Sequence, residues 1–169
     1  MEFEEVVNKR RSIRNYKDKD VEDEKIEKLL DAAMRAPSAN NRQPWHFVVI
    51  ESEKTQDEIM DIHPYSSMLE EAPLAIAVCG NTEKSEHYWV QDCSAATQNL
   101  LLMAENLGLG AVWLGVYPRK NRHERIGELL ELPKHIIPLS IVAVGYPAEE
   151  SREVDRFDED NVHRERWNG

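Results

Sequence analysis

Along the chain the apolar positions follow two regimes. In five stretches they return at helical spacing, marking one face of a helix: 3–7 (Phe3, Val6, Val7), 23–35 (Ile26, Leu29, Leu30, Ala33 and Met34 on one side), 55–62, 90–107 and 123–132. In four shorter stretches they run nearly unbroken between turn residues, which predicts strands: 46–51 (HFVVIE), 75–80 (AIAVCG), 111–115 and 139–145 (LSIVAVG). Asp23 is placed to cap the second helix, and Pro37 ends it by disfavouring α geometry at Ala36. Ala95, Ala96, Leu100, Leu101, Leu102, Met103, Ala104 and Leu107 cover most of the 90–107 helix, so it should be buried on nearly all sides. Gly108 follows as a C′ glycine, and Pro133 should stop the 123–132 helix.

The sum is a mixed α+β chain with a small central sheet flanked by helices on both faces. Adjacent helices and long connections argue against a regular βαβ repeat. Residues 1–147 read as a single domain. From Ala148 to Gly169 the chain turns mostly charged, with Val154, Phe157, Val162 and Trp167 widely spaced. Alone, such an arm would not order, so its apolar residues predict that it lies on another surface, such as another subunit.

Charge narrows the functional classes. Lys plus Arg total 21 against 32 Asp plus Glu, a formal net charge of −11 over 169 residues. That balance speaks against nucleic acid and anionic membranes as partners, and no stretch is long and apolar enough to span a bilayer. Cys79 and Cys93 lack metal-ligand spacing and sit in apolar segments, as reduced thiols of a cytoplasmic protein do.

The candidate chemistry is sparse. Gly108–Gly115 (GLGAVWLG) has dinucleotide-type glycines, but it runs from helix to strand, the reverse of the phosphate-binding order. The 6 histidines show no i, i+4 pair and form no cluster with cysteine, so no metal site is expected. There is no nucleophile elbow. Two segments stand out. Arg10, Arg11, Ser12 and Arg14 concentrate guanidiniums and a hydroxyl suited to a phosphate. The connector 36–47 (APSANNRQPWHF) carries more hydrogen-bonding groups than a helix-to-strand turn requires, on Ser38, Asn40, Asn41 and Gln43.

Taken in order, RRSIRNY (10–16), APSANNRQPWHFVVI (36–50), QDCSAATQNLLLMAENLGLGAVWLG (91–115) and IPLSIVAVGYPAE (137–149), followed by Arg156 and Trp167, resemble the nitroreductase family of FMN-dependent oxidoreductases. The resemblance implies an intertwined homodimer with FMN at the subunit interface. It implies FMN binding by Arg10, Arg11, Ser12 and Arg14, with Arg156 completing the phosphate site. It also implies that Pro37, Ser38, Ala39, Asn41 and Gln43 reach the flavin from the other subunit. Trp113, Leu114 and Gly115 would lie along the isoalloxazine, with backbone N–H groups near N5. The implied chemistry is two-step: NAD(P)H gives hydride to the flavin and leaves, then an organic acceptor such as a nitroaromatic or quinone is reduced. The flavin supplies the reactivity, so no catalytic side chain is assigned.

Against longer members of that family the chain is compact. It has HPYSS before MLEEAP where they carry an asparagine and a basic residue, so contact from Tyr65, Ser66 or Ser67 is unassigned. A specialised flavoenzyme of the same fold (a reductive dehalogenase or flavin-remodelling enzyme) and a non-enzymatic FMN-binding regulator are the alternative readings.

Overall fold

A computed structural model describes residues 1–150 and 154–167 of the chain. The elements in order are α1 (Phe3–Lys9), α2 (Asp23–Met34), β1 (Trp45–Ile50), α3 (Glu53–Ile62), β2 (Leu74–Asn81), α4 (Trp89–Asn106), β3 (Gly110–Gly115), α5 (Lys120–Leu129) and β4 (Ile136–Gly145), with short 3-10 turns at Ala39–Asn41, Ser67–Glu70 and Glu159–Asn161. The strands form one antiparallel sheet ordered β1-β2-β4-β3. β2 and β4 are interior and buried on both faces, as their unbroken apolar runs require. Leu74, Ile76, Val78, Val142 and Val144 meet α2 and α4, while Ala75, Ala77, Ile141 and Ala143 meet Ile59 of α3 and Ile126 of α5.

Three expectations need correction. Asp23 lies inside α2, not at its cap. Glu22 is the cap residue and makes no capping bond, because its carboxylate accepts the Tyr146 hydroxyl instead (2.6 Å). The fifth helix runs over Lys120–Leu129, earlier than 123–132 at both ends. Glu131 takes a left-handed φ of 52°, and Leu132 N–H reaches back to Gly127 O (2.8 Å), so the helix closes before Pro133 can act. Finally, α4 is not buried all round: Gln91 and Gln98 are exposed, and Ala95 and Leu102 only half-buried, on a single outward stripe.

The other helix ends follow the sequence closely. Gly108 (φ 71°) closes α4, with Leu109 N–H bonded to Ala104 O at 2.8 Å. Ser52 caps α3 by accepting from Thr55 N–H at 3.4 Å. After β4 the chain runs beside residues 15–17, where Ala148 N–H donates to Asn15 O (2.9 Å) and Lys17 N–H to Tyr146 O (2.8 Å). In the arm, residues 151–153 and 168–169 lie outside the described residues. Phe157 and Trp167 are 76% and 78% exposed. Among the described residues no helix is long and apolar enough to cross a membrane.

Candidate functional site

Strand β3 is the edge of the sheet, and the site grows from it. Ser12 bridges Ala111 in parallel and Ile13 N–H donates to Ala111 O at 3.1 Å, so the Arg10–Arg14 segment covers only the start of the edge. The approach is close: a Cβ on Gly110 would stand 2.7 Å from Ile13. Glycine there lets Ile13 seat against the strand and carries its arginine neighbours in with it.

Beyond Ala111, among the described residues, no further strand pairs with this edge, and His63 and Arg122 reach it at Gly115 O. Val116 N–H bonds to Leu139 on β4 (3.0 Å), whereas Ala111 C=O faces Ile13 on the opposite side. Because successive peptide groups alternate along a strand, those of Trp113 and Gly115 point to the open edge with Ala111. Trp113 is half-buried against the α4 side and Gly115 is exposed. A Cβ at Gly115 would meet nothing within 4 Å. Leu114 is different, with its side chain in the α5-side core and its peptide turned toward β4.

Arg10, Arg11 and Arg156 line one cavity of about 430 Å³ together with Asp155, Asn8, Gln98 and Leu102. Burial, then the charges of Arg156 and Arg11, push the ionisation of Arg10 below its ordinary value. Glu105 acts on Arg10 in the opposite direction, and with Asp155 the cavity sets three guanidiniums against one lining carboxylate, a balance that still favours an anion. Ser12 and Arg14 are exposed outside this cavity. The turn at Arg14 is fastened by Glu149, whose Oε1 accepts the Arg14 N–H at 2.7 Å and the Asn15 N–H at 3.3 Å.

The polar connector lies elsewhere. Asn40, Asn41 and Gln43 hold φ of 53°, 54° and 47° around a right-handed Arg42, a set of left-handed non-glycine residues that costs energy and persists only when held. Ser38 Oγ accepts the Gln43 N–H (3.0 Å), and Ala39 N–H donates to Asp92 Oδ1 (2.9 Å). Asp92, 5% exposed in the first turn of α4, also accepts Ser85 Oγ–H at 3.1 Å. Pro37, Asn41 and Gln43 are exposed. The loop is thus tied to the start of α4, while the arginine cavity lies along Gln98 and Leu102. At about 1.5 Å per residue the two are on the order of 10–15 Å apart along the helix. A single chain brings Arg10, Arg11 and Arg156 together but leaves the 37–43 loop at the other end.

Two residues without a sequence signal belong here. Asp92 ties the loop, and His63 donates from Nε2 to Gly115 O (2.9 Å), where Arg122 Nη1 also donates (3.2 Å). Each acts on a residue more than fifty positions away, which no local pattern encodes. Tyr65 and Ser67 are exposed, and Ser66 is buried with its hydroxyl on His63 O. Among the described residues no His, Cys, Asp or Glu group is arranged to hold a metal. Cys79 and Cys93 are free and buried, and burial pushes both thiols up to about 12.

Set against known proteins, the nitroreductase family model matches residues 7–63 and 60–146. The chain belongs to the nitroreductase family. It is 49% identical over 169 residues to a Methanothermobacter thermautotrophicus protein named as an NADH dehydrogenase/NAD(P)H nitroreductase, covering 99% of this chain and 88% of that one. Its fold superposes on an FMN-dependent nitroreductase of Clostridium difficile with a TM-score of 0.90 at 33% identity, covering 96% of this chain and 98% of that one. A family structure from Desulfovibrio desulfuricans, solved in complex with FMN, gives a TM-score of 0.88 at 31% identity and covers 99% of both chains.

Proposed function

We infer that this nitroreductase-family chain is an FMN-dependent NAD(P)H oxidoreductase that works as a cytoplasmic homodimer and reduces an organic acceptor such as a nitroaromatic or quinone. The observation that carries the reading is the pairing of an arginine cavity with a strand edge that no further strand covers beyond Ala111. The cavity suits a phosphate, and the edge suits a flat ring that takes hydrogen bonds from backbone.

Arg10, Arg11 and Arg156 would hold the phosphate, with Ser12 and Arg14 flanking it. The N–H groups of Trp113 and Gly115 would face the ring, with Leu114 packing the strand beneath. Pro37, Ser38, Ala39, Asn41 and Gln43 would come from a second subunit. The apolar part of the surface for that association would come from Ala95 and Leu102 of the outward α4 stripe, with Phe3 (74% exposed) and Val7 (46%) beside Leu102. An antiparallel match of two α4 stripes would set the loop end of one chain beside the arginine end of the other. The arm from Ala148 onward would pack on the partner subunit.

FMN would supply the hydride chemistry, accepting from NAD(P)H and passing electrons to the acceptor in a second step. The protein's part is to bind, orient and exclude water. The test is anaerobic mixing of the FMN-loaded, prereduced protein with a panel of nitroaromatics and quinones. Rapid reoxidation by at least one supports the oxidoreductase reading. Turnover with none, despite bound FMN, contradicts it.

A further inference from the structure

His63 caps the end of α3 and is 3% exposed. Its backbone is spent locally: the N–H donates to Ile59 O (2.8 Å) and the C=O accepts from Ser66 Oγ (2.6 Å). Its ring faces the end of β3. Nδ1 accepts the Tyr65 N–H at 3.2 Å, so that nitrogen carries no proton. The ring proton therefore sits on Nε2, which donates to Gly115 O at 2.9 Å. The contacts select one neutral tautomer.

Arg122, from α5, donates to the same carbonyl at 3.2 Å, and its guanidinium stands 5.6 Å from the Tyr65 ring centroid. Two side chains from separate elements thus hold one carbonyl at an exposed strand end. Glycine has no side chain to anchor it there, and its backbone is the least restrained of any residue. The N–H and C=O of one strand residue point to the same edge. The C=O of Gly115 belongs to the 115–116 peptide unit and its N–H to the 114–115 unit, so holding the carbonyl restrains ψ at Gly115 and steadies the Cα next to that N–H, a donor of the same edge.

We propose that His63, as the neutral Nε2–H imidazole, is a positioning residue that holds the backbone of Gly115 in place beside the flavin, with Arg122 as its second grip. This rests on the FMN reading above. His63 touches neither flavin nor substrate. It acts through Gly115, so its effect belongs in the electronic environment of the ring rather than in the hold on the phosphate.

The experiment compares the FMN-loaded parent with His63→Phe, His63→Gln and Arg122→Ala. FMN affinity is read by fluorescence titration, the two-electron potential by dye equilibration, and anaerobic reduction by stopped flow with NADPH and with NADH. His63→Phe is expected to retain FMN, since the arginine cavity is untouched. Its potential should shift, and its reduction should slow by about threefold to tenfold, the range of one hydrogen bond. His63→Gln, which can donate to the same carbonyl, should return toward the parent. Arg122→Ala, at the surface, should shift the potential in the same direction as His63→Phe. It decides the matter if the Phe variant does not fold. FMN-loaded His63→Phe or Arg122→Ala with the parent's potential and rate overturns the proposal and leaves the FMN reading standing. A parent protein that takes up no FMN removes both.

Discussion

At the scale of residues, the cavity sets Arg10, Arg11 and Arg156 against the single lining carboxylate of Asp155, an excess of positive charge that an entering anion would offset. This separates binding from folding. Arg156→Ala should weaken FMN binding by about tenfold to a hundredfold, the worth of one hydrogen bond to a charged group. It should leave the melting temperature of the apoprotein unchanged or slightly raised. Fluorescence titration beside a thermal melt checks both, and equal FMN affinity would remove Arg156 from the site. The arginines at 10 and 11 were legible in the sequence because their pattern is local. Asp92 and His63 were not. Asp92 meets Ala39 across 53 positions and His63 meets Gly115 across 52, so their roles exist only once the fold has brought them together. The left-handed φ of Asn40, Asn41 and Gln43 was equally hidden. Composition marked the loop as polar, and only the backbone shows that it is held in a costly shape.

At the scale of elements, the four strands and five helices among the described residues were readable because each keeps either an apolar run or an apolar helical face. Helix boundaries were less so, since a left-handed non-glycine such as Glu131 can end a helix where no glycine or proline marks the stop. The joint between the arginine segment and β3 depends on Gly110. Gly110→Ala would force Ile13 off the strand, and should cost about 1–3 kcal/mol as overpacking does. Urea unfolding of parent and variant would measure it, with reduced FMN affinity as the accompanying sign that Arg10 and Arg11 have moved. A variant as stable as the parent would show that the contact relaxes freely. The arm makes a separate test. Ending the chain after Pro147 removes Arg156 and the exposed Phe157 and Trp167, so size exclusion should show monomer or loss of flavin. A truncated chain that remains a flavin-loaded dimer would contradict the arm's role.

For the whole molecule, the half-exposed stripe of α4 marks the limit of what one chain explains. The sequence predicted a helix buried nearly all round, and a single subunit covers only part of it. A second subunit would account for the remainder, and for the distance between the polar loop and the arginine cavity. Stability should also carry a pH signature. Burial first, and then the charge of Arg122, push the ionisation of His63 below its ordinary 6.5, against the opposing hydrogen bond to Gly115. The unfolded chain takes up this proton more readily than the folded one, so stability rises with pH across that window. The contribution is present above 6.5 and is lost as pH falls toward the folded value. Urea midpoints measured across this range should fall on the acid side in the parent and fall less in His63→Gln. Identical slopes would contradict the neutral imidazole.

In the proposed function, the arginine cavity and the uncovered edge of β3 together hold a flavin that NAD(P)H reduces. The most direct measurement is the visible absorption spectrum of the purified protein, supplied with FMN, freed of excess, and mixed with NADPH or NADH without air. The expected result is a yellow protein whose flavin band bleaches on mixing with at least one nicotinamide. A protein that stays colourless after exposure to FMN, or a bound flavin that neither nicotinamide bleaches, would contradict it.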